Sequence, residues 1–251
     1  MSDLPQPPAD APLAPSPTHL SPRAVPWNHA LKWYEGAMRL FKRAPATWGV
    51  LSALTLFAEL GFSEVPEAGP LLAKVIAPLV ACGLIFAAAR VDGGERPLLL
   101  DAIAAFRATG GAIGAIIATS LITFGAEALT AWWLADANLL SSEAQELSWS
   151  AVTGTYAIGI LVSLPMTFVP FHVLFEGVTI GAAFVASWNA FVLNTMPLMV
   201  YAAASLVLLG FGLVTMGIGL VFVLPLWAAS SYVAWKDIFA VRRSPLEPEV
   251  A

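Results

Sequence analysis

Glu59, Lys74 and Glu127 stand inside long apolar stretches of a 251-residue chain, where charges are least tolerated. Each Glu closes the same pattern, Ser-x-x-Thr-x-x-x-Glu, first as Ser52, Thr55 and Glu59, then as Ser120, Thr123 and Glu127. Spacings of three and four place each set on one helical face. An acid at mid-bilayer costs about 2.5 to 3.5 kcal/mol on insertion scales, so such faces turn to a bundle interior or a water-filled cleft. Two chemistries follow. A Glu held neutral by burial makes a site for a proton or small cation. Alternatively Glu59 and Lys74 neutralise each other near the outer interface, while Glu127 snorkels or hydrogen-bonds across the bundle. The second, structural reading is preferred, and Glu59 is the first contact expected for Lys74, its hairpin neighbour.

Other chemistry has fewer residues to draw on. His172 and Glu176 are four apart, a metal-ligand spacing, but the remaining histidines, His19 and His29, lie in or beside the N-terminal tail. A closed zinc site needs four ligands, so neither a metal nor a haem is expected, and His172 reads as an interfacial residue. The single cysteine, Cys82, excludes an intrachain disulfide and reads as buried packing. No acid, serine or metal constellation suggests intramembrane proteolysis, and no glycine-rich phosphate loop follows a strand. Gly110 and Gly114 form a small-xxx-small pattern that is read as helix packing. The chain is therefore expected to be no enzyme, with no cofactor and no nucleic-acid partner.

The elements that must position these residues follow from composition. Hydrophobic residues make up 58% of the chain and charged ones 12%, against about 25% charged in soluble domains. The apolar excess must face lipid. A span needs about 20 apolar residues, and six such stretches are read: 46–63, 70–90, 110–134, 149–170, 196–215 and 217–236. The last two are divided at Gly217-Ile218-Gly219, because one straight helix there would be about twice the bilayer thickness.

Charge placement sets the topology. Arg23, Lys32, Arg39, Lys42 and Arg43 precede the first span; Arg90, Arg96 and Arg107 lie between the second and third; Lys236, Arg242 and Arg243 follow the sixth. The opposite loops hold Glu64, Glu67, Asp136, Glu143 and Glu146 and no basic residue. The positive-inside rule then puts both termini in the cytoplasm. The Pro-rich residues 1–26 read as a disordered tail with no secretory signal, and 241–251 as a short second tail.

Three amphipathic stretches precede hairpins. In 27–43, Trp27, Leu31, Tyr34, Met38 and Phe41 take one face, while Lys32, Glu35, Arg39 and Lys42 take the other. Residues 97–107 repeat this with Leu99, Ile103 and Phe106, Pro97 standing at the first helical position, and 179–193 form an uncharged version. Each ends in Phe (Phe41, Phe106, Phe191), meets a breaker (Pro45, Gly110, Pro197) and enters a span; each second span carries a proline (Pro78, Pro165, Pro225) and closes on an acid (Asp92, Glu176, Asp237). The expected fold is thus all-α: a polytopic membrane domain over 27–240, six transmembrane helices as three tandem repeats of interfacial amphipathic helix plus two-span hairpin (27–94, 95–177, 178–240). Same-sense repeats imply a pseudo-threefold axis along the membrane normal.

Trp33, Gly36, Leu40-Phe41 and Pro45, then Pro78, Gly83 and Arg90-Val91-Asp92-Gly93, then Ser187, Ala190, Asn194 and Pro197, and finally Pro225-Leu226, Tyr232 and Asp237-Ile238-Phe239 carry a resemblance. This order resembles a family of uncharacterised proteobacterial multi-span inner-membrane proteins. More distantly it is similar to the membrane domain attached to some glycerophosphodiester phosphodiesterases. The resemblance covers about 27–240 and implies an inner-membrane location; it carries no established activity, and the phosphodiesterase domain is absent. Leu193 stands where that pattern has a basic residue, which weakens a phosphate role for the third elbow.

The function expected is a non-enzymatic scaffolding, envelope-homeostasis or lipid-associated role, with the bilayer and a second copy or another membrane protein as partners. The rival is a small transporter or permeation path using Glu59 and Glu127.

Overall fold

A computed structural model describes residues 21–141 and 147–246. Most of the expected N-terminal tail, the acids Glu143 and Glu146, and residues 247–251 lie outside that range. The described residues are helical, with no strand among them. The elements are α1 (His29–Lys42), α2 (Pro45–Ser63), α3 (Gly69–Asp92), a 3-10 helix (Leu99–Arg107), α4 (Gly110–Ala135), α5 (Trp149–Ser163), a 3-10 turn (Leu164–Met166), α6 (Val169–Phe175), α7 (Ile180–Leu193), α8 (Thr195–Val214) and α9 (Leu220–Ile238).

Five stretches are long and apolar enough to cross a membrane: Pro45–Ser63, Gly69–Asp92, Gly110–Ala135, Trp149–Met166 and Thr195–Val214. Their outward surfaces carry bare apolar side chains, among them Phe57, Leu60, Leu129 and Val207. A water-soluble monomer does not display so much exposed apolar surface. Length and composition thus point to a multi-pass membrane protein. The sixth expected span corresponds to α9, whose last turn carries Lys236 and Asp237. It is not among the five.

Local chemistry sets the ends. Thr109, Ser148 and Thr179 accept hydrogen bonds from Ala112, Ala151 and Ala182 backbone N–H groups, satisfying donors orphaned at the starts of α4, α5 and α7. Pro45 and Pro70 open α2 and α3, where a missing N–H costs nothing. The expected division between the last two spans is present: α8 ends at Val214, and the turn to α9 passes through Met216 and Gly217 with φ of 53° and 85°.

Two expectations, on the second elbow and on the N-terminal tail, are corrected below. The fourth expected span is present and breaks at its proline: α5 stops at Ser163, Leu164-Pro165-Met166 form a 3-10 turn, and α6 restarts at Val169. Pro165 has no N–H to continue the α-helical ladder, and Pro170 sits in the first turn of the new helix. The second elbow is a nine-residue 3-10 helix beginning at Leu99, so Pro97 lies before it. Asp101 fixes its start by accepting from the Leu98 N–H at 2.9 Å. Residues 21–26 are held to the bundle rather than continuing the tail: the Arg23 N–H donates to the Ile238 carbonyl and the Val25 N–H to Asn194 Oδ1, both at 2.8 Å. Asn194 Nδ2 donates back to the Arg23 carbonyl at 3.0 Å.

The elbows meet the bundle through residues that hydrophobic periodicity does not single out. On α1 the protein-facing stripe is Ala30, Trp33, Gly36, Ala37 and Leu40, while Trp27, Leu31 and Met38 of the expected apolar face are exposed. The 3-10 elbow likewise buries Ala102 and Ala105 and exposes Leu99, Ile103 and Phe106; α7 buries Ala183, Ala186 and Ala190 and exposes Val185 and Trp188. Small residues let each elbow approach its support closely, and large ones point away. At Gly83 of α3, an added Cβ would lie 2.6 Å from Ala102 Cα, so the second elbow rides directly on that glycine.

The supports follow a cyclic order. The 3-10 elbow packs on α3, α7 packs on the 3-10 turn and α6, and α1 packs on α9. Each contact carries a polar tie. Arg90 Nε donates to Asp101 Oδ1 at 2.9 Å, the Phe168 N–H to Ser187 Oγ at 3.1 Å, and Trp33 Nε1 to Asp237 Oδ2 at 2.9 Å.

Candidate functional site

Between α3, α4, α5, α6, α8 and α9 lies a cavity of about 470 Å³. Along α4 its wall runs from Ile116 to Glu127, a rise of about 16 Å at 1.5 Å per residue. Leu84, Ile85, Ile160, Leu164 and Trp227 give it apolar walls; Lys74 and Glu127 stand at one end, and Tyr201 and Ser205 lie towards the other. Cys82 lies in this wall and is buried, as expected.

The sequence-predicted residues divide between two places. Ser120, Thr123 and Glu127 line the cavity, and so does Lys74. Ser52, Thr55 and Glu59 do not. Ser52 is fully buried, with no hydrogen-bond partner for Oγ among the described residues, and Thr55 donates to the Leu51 carbonyl at 3.0 Å. Lys74 donates to Glu59 Oε1, the contact expected across the α2–α3 hairpin. The Lys74 ammonium also lies 5.4 Å from the centroid of Phe124, one turn from Glu127 on α4. One cation thus stands between two carboxylates, paired with the first and bordering the cavity of the second.

Glu127 is seated by a neighbour's missing side chain. A Cβ on Gly159 of α5 would overlap the Glu127 carboxylate, so this glycine makes the room the acid occupies. No direct hydrogen bond to Glu127 from a described residue is present. The hydroxyls along the wall are mostly spent on their own helices as donors: Thr119 to the Ile116 carbonyl, Thr123 to Thr119, Ser163 to Ile160, Thr167 to Ser163 and Ser231 to Ala228. A hydroxyl that donates inward keeps its lone pairs. The wall therefore offers acceptors, with a carboxylate at one end.

At the other end Tyr201 and Ser205 form a floor, which Tyr34 of α1 backs. The Tyr34 and Tyr201 rings stack at 5.3 Å, and Tyr34 Oη lies 2.7 Å from Ser205 Oγ. Burial, reinforced by Tyr201, holds the Tyr34 phenol above its ordinary range, so it stays neutral. This floor is not legible from the sequence, which only groups Tyr34 with Trp27, Leu31, Met38 and Phe41 on the apolar face of 27–43.

A second polar centre secures α1 to α9. Asp237, beyond the apolar run of α9, accepts from Arg23 at 2.7 Å and from Trp33, and its other contact is His29 Nδ1 at 2.7 Å. Burial pushes its carboxyl up, but the Trp33, His29 and Arg23 hydrogen bonds outweigh this and hold it below the usual carboxylate range. Asp92 is held by Tyr232 Oη at 2.9 Å and by Lys236.

His172 departs from expectation. It is fully buried rather than interfacial, packed edge-on to Phe239 at 4.5 Å, with Nδ1 2.8 Å from Glu176 Oε2. Two residues make no metal site, and no group of three or more potential ligands occurs among the described residues.

The length and composition of the helices point to a multi-pass membrane protein, and its bundle holds a cavity with hydroxyls and one carboxylate in the wall. Compared with protein-family models, curated proteins and solved structures, the chain finds no match in any of the three.

Proposed function

We propose that this chain is a non-enzymatic six-span inner-membrane protein whose central cavity admits a small cation, a protonated amine or a proton at Glu127. The observation that carries this reading is the Glu127 carboxylate in the wall of a 470 Å³ cavity rich in hydroxyl acceptors. Glu59, paired with Lys74, supports the site from outside the chamber rather than lining it. Of the two roles expected, the permeation path then rests on Glu127 alone, since Glu59 is paired with Lys74 outside the cavity.

The topology belongs to the same proposal. The apolar run of α9, 220–235, is about 24 Å long, enough to cross most of a hydrocarbon core of about 30 Å. Counting it as the sixth span returns the chain to the basic side, with both termini cytoplasmic. The cyclic elbow packing supports three repeats around an axis along the membrane normal, as the same-sense sequence repeat implies.

Proteoliposome flux tests the proposal. Proton and methylammonium uptake should occur with the native chain, fall at least tenfold in Glu127→Gln and persist in Glu59→Gln. Equal uptake by native protein and Glu127→Gln would sink the carboxylate site.

The scaffolding or lipid-associated role is the second reading. It is favoured by the three elbows, whose large side chains, such as Trp27, Phe106 and Trp188, point away from the bundle. Such faces suit helices lying in the interface. Mass spectrometry of lipids and membrane proteins co-purifying with the native chain distinguishes it: a stoichiometric partner favours this reading.

A further inference from the structure

At the basic end of the bundle, apart from the central chamber, α1 and α9 enclose a cleft of about 370 Å³. Arg39, Arg43 and Lys236 line it, with Asp92 and Asp237. The acids are already engaged. Asp237 is taken up by Arg23, His29 and Trp33, and Asp92 by Tyr232 and Lys236. Arg43 donates one N–H to the Val91 carbonyl at 2.8 Å, which orients its guanidinium and leaves most of its five donors unused. Arg39 is exposed and has no ion-pair partner among the described residues. Two guanidiniums in one cleft, beside acids that are otherwise satisfied, suit a phosphate oxyanion, which arginine binds in a planar two-point fashion.

We infer that this cleft binds the phosphate of an anionic phospholipid in the leaflet the elbows touch. The lipid source, rather than a soluble phosphate, follows from the flank of α1. Leu31 and Met38 are exposed on the elbow that carries Arg39, and Leu40 and Val233 line the cleft floor. Apolar side chains at headgroup depth lie where acyl chains begin. The inference does not depend on the Glu127 site, since the two places share no lining residue.

The test uses the full chain in nanodiscs of phosphatidylcholine doped with phosphatidylglycerol, with native mass spectrometry reading the lipid retained on extraction. Phosphatidylglycerol should be enriched on the native protein, and Arg39→Gln and Arg43→Gln should each lower that enrichment about fivefold. Lys42→Gln, on the same helix but outside the cleft, should leave it unchanged. Arg43 also holds the Val91 carbonyl, so Arg39→Gln, which breaks no described hydrogen bond, is decisive if Arg43→Gln misfolds. The inference is overturned if phosphatidylglycerol is not enriched, or if Lys42→Gln lowers enrichment as much as Arg39→Gln does. It is also overturned if inorganic phosphate alone displaces the lipid, because the site would then take a soluble ligand.

Discussion

The carboxylate of Glu127 on α4 rests against the bare α-carbon of Gly159 on α5, so an acid within a span is seated by the absence of a side chain on its neighbour. Gly159→Ala should push the acid aside and cost about 1 to 3 kcal/mol of stability, the usual range for overpacking. Glu127→Ala added to it should recover much of that loss. Thermal unfolding in mild detergent of the two single variants and the double variant checks the coupling; strict additivity would show that the two residues do not compete for space.

The Lys74 and Glu59 pair should behave as a unit. Lys74→Gln leaves Glu59 charged and unpaired in an apolar setting, so it should destabilise more than Lys74→Gln combined with Glu59→Gln. Interhelical polar contacts in membranes average about 0.6 kcal/mol and reach about 1.7. A coupling in that range is expected from a double-mutant cycle read by reversible unfolding.

Tyr34 backs the cavity floor through its contact with Ser205, and removing its hydroxyl should loosen that floor. Tyr34→Phe keeps the ring stack on Tyr201 and should raise uptake in proteoliposomes, the opposite sign to Glu127→Gln. Unchanged or lower uptake in a properly folded Tyr34→Phe would show that the floor is not the barrier.

Asp237 should make the attachment of the N-terminal segment sensitive to acid. Its carboxyl is held below the ordinary range, so the stability it contributes is complete above the unfolded-state value of about 3.9 and is lost as pH falls from there towards the folded value. Protease cleavage near Arg23 should accelerate on acidification through that window with an acid-active protease. Asp237→Asn should be cleaved fast at every pH, having lost charge-assisted hydrogen bonds worth about 1.5 to 3 kcal/mol each.

Orientation is open to a labelling test. In a Cys82→Ala background, Glu67→Cys should react with an impermeant maleimide on intact spheroplasts. Glu95→Cys should react only after permeabilisation. The reverse pattern would invert the topology.

The sequence made the spans legible because lipid imposes a one-dimensional rule: about 20 apolar residues, broken by charge. Boundaries such as Gly110 and the turn at Gly217 followed from that rule alone. The Lys74 and Glu59 contact was legible for a related reason, since a short hairpin fixes which residues face each other. Span four was legible as well, its Pro165 marking where the helix breaks, although hydropathy alone does not register the break. The buried faces of the elbows were hidden for a different reason. Periodicity gives weight to bulky apolar residues, and here those point outward, while alanine and glycine make the contact with the bundle. The chamber draws residues from six helices, and the division of the two Ser-Thr-Glu stripes depends on helix rotation, which spacing within one helix does not set.

The cyclic packing has a consequence for the order in which the molecule can be built. Elbow α1 is synthesised near the beginning of the chain, yet its support, α9, is made near the end. Until α9 is made and folds against it, Trp33 has no Asp237 to meet, and the alanine and glycine stripe of α1 lacks its main support. The second and third elbows face no such delay, because α3 and α6 precede them. Completion of the bundle therefore waits on one long-range closure, the slow kind of folding event. A nascent chain halted before α9 should expose the first elbow and leave the other two docked.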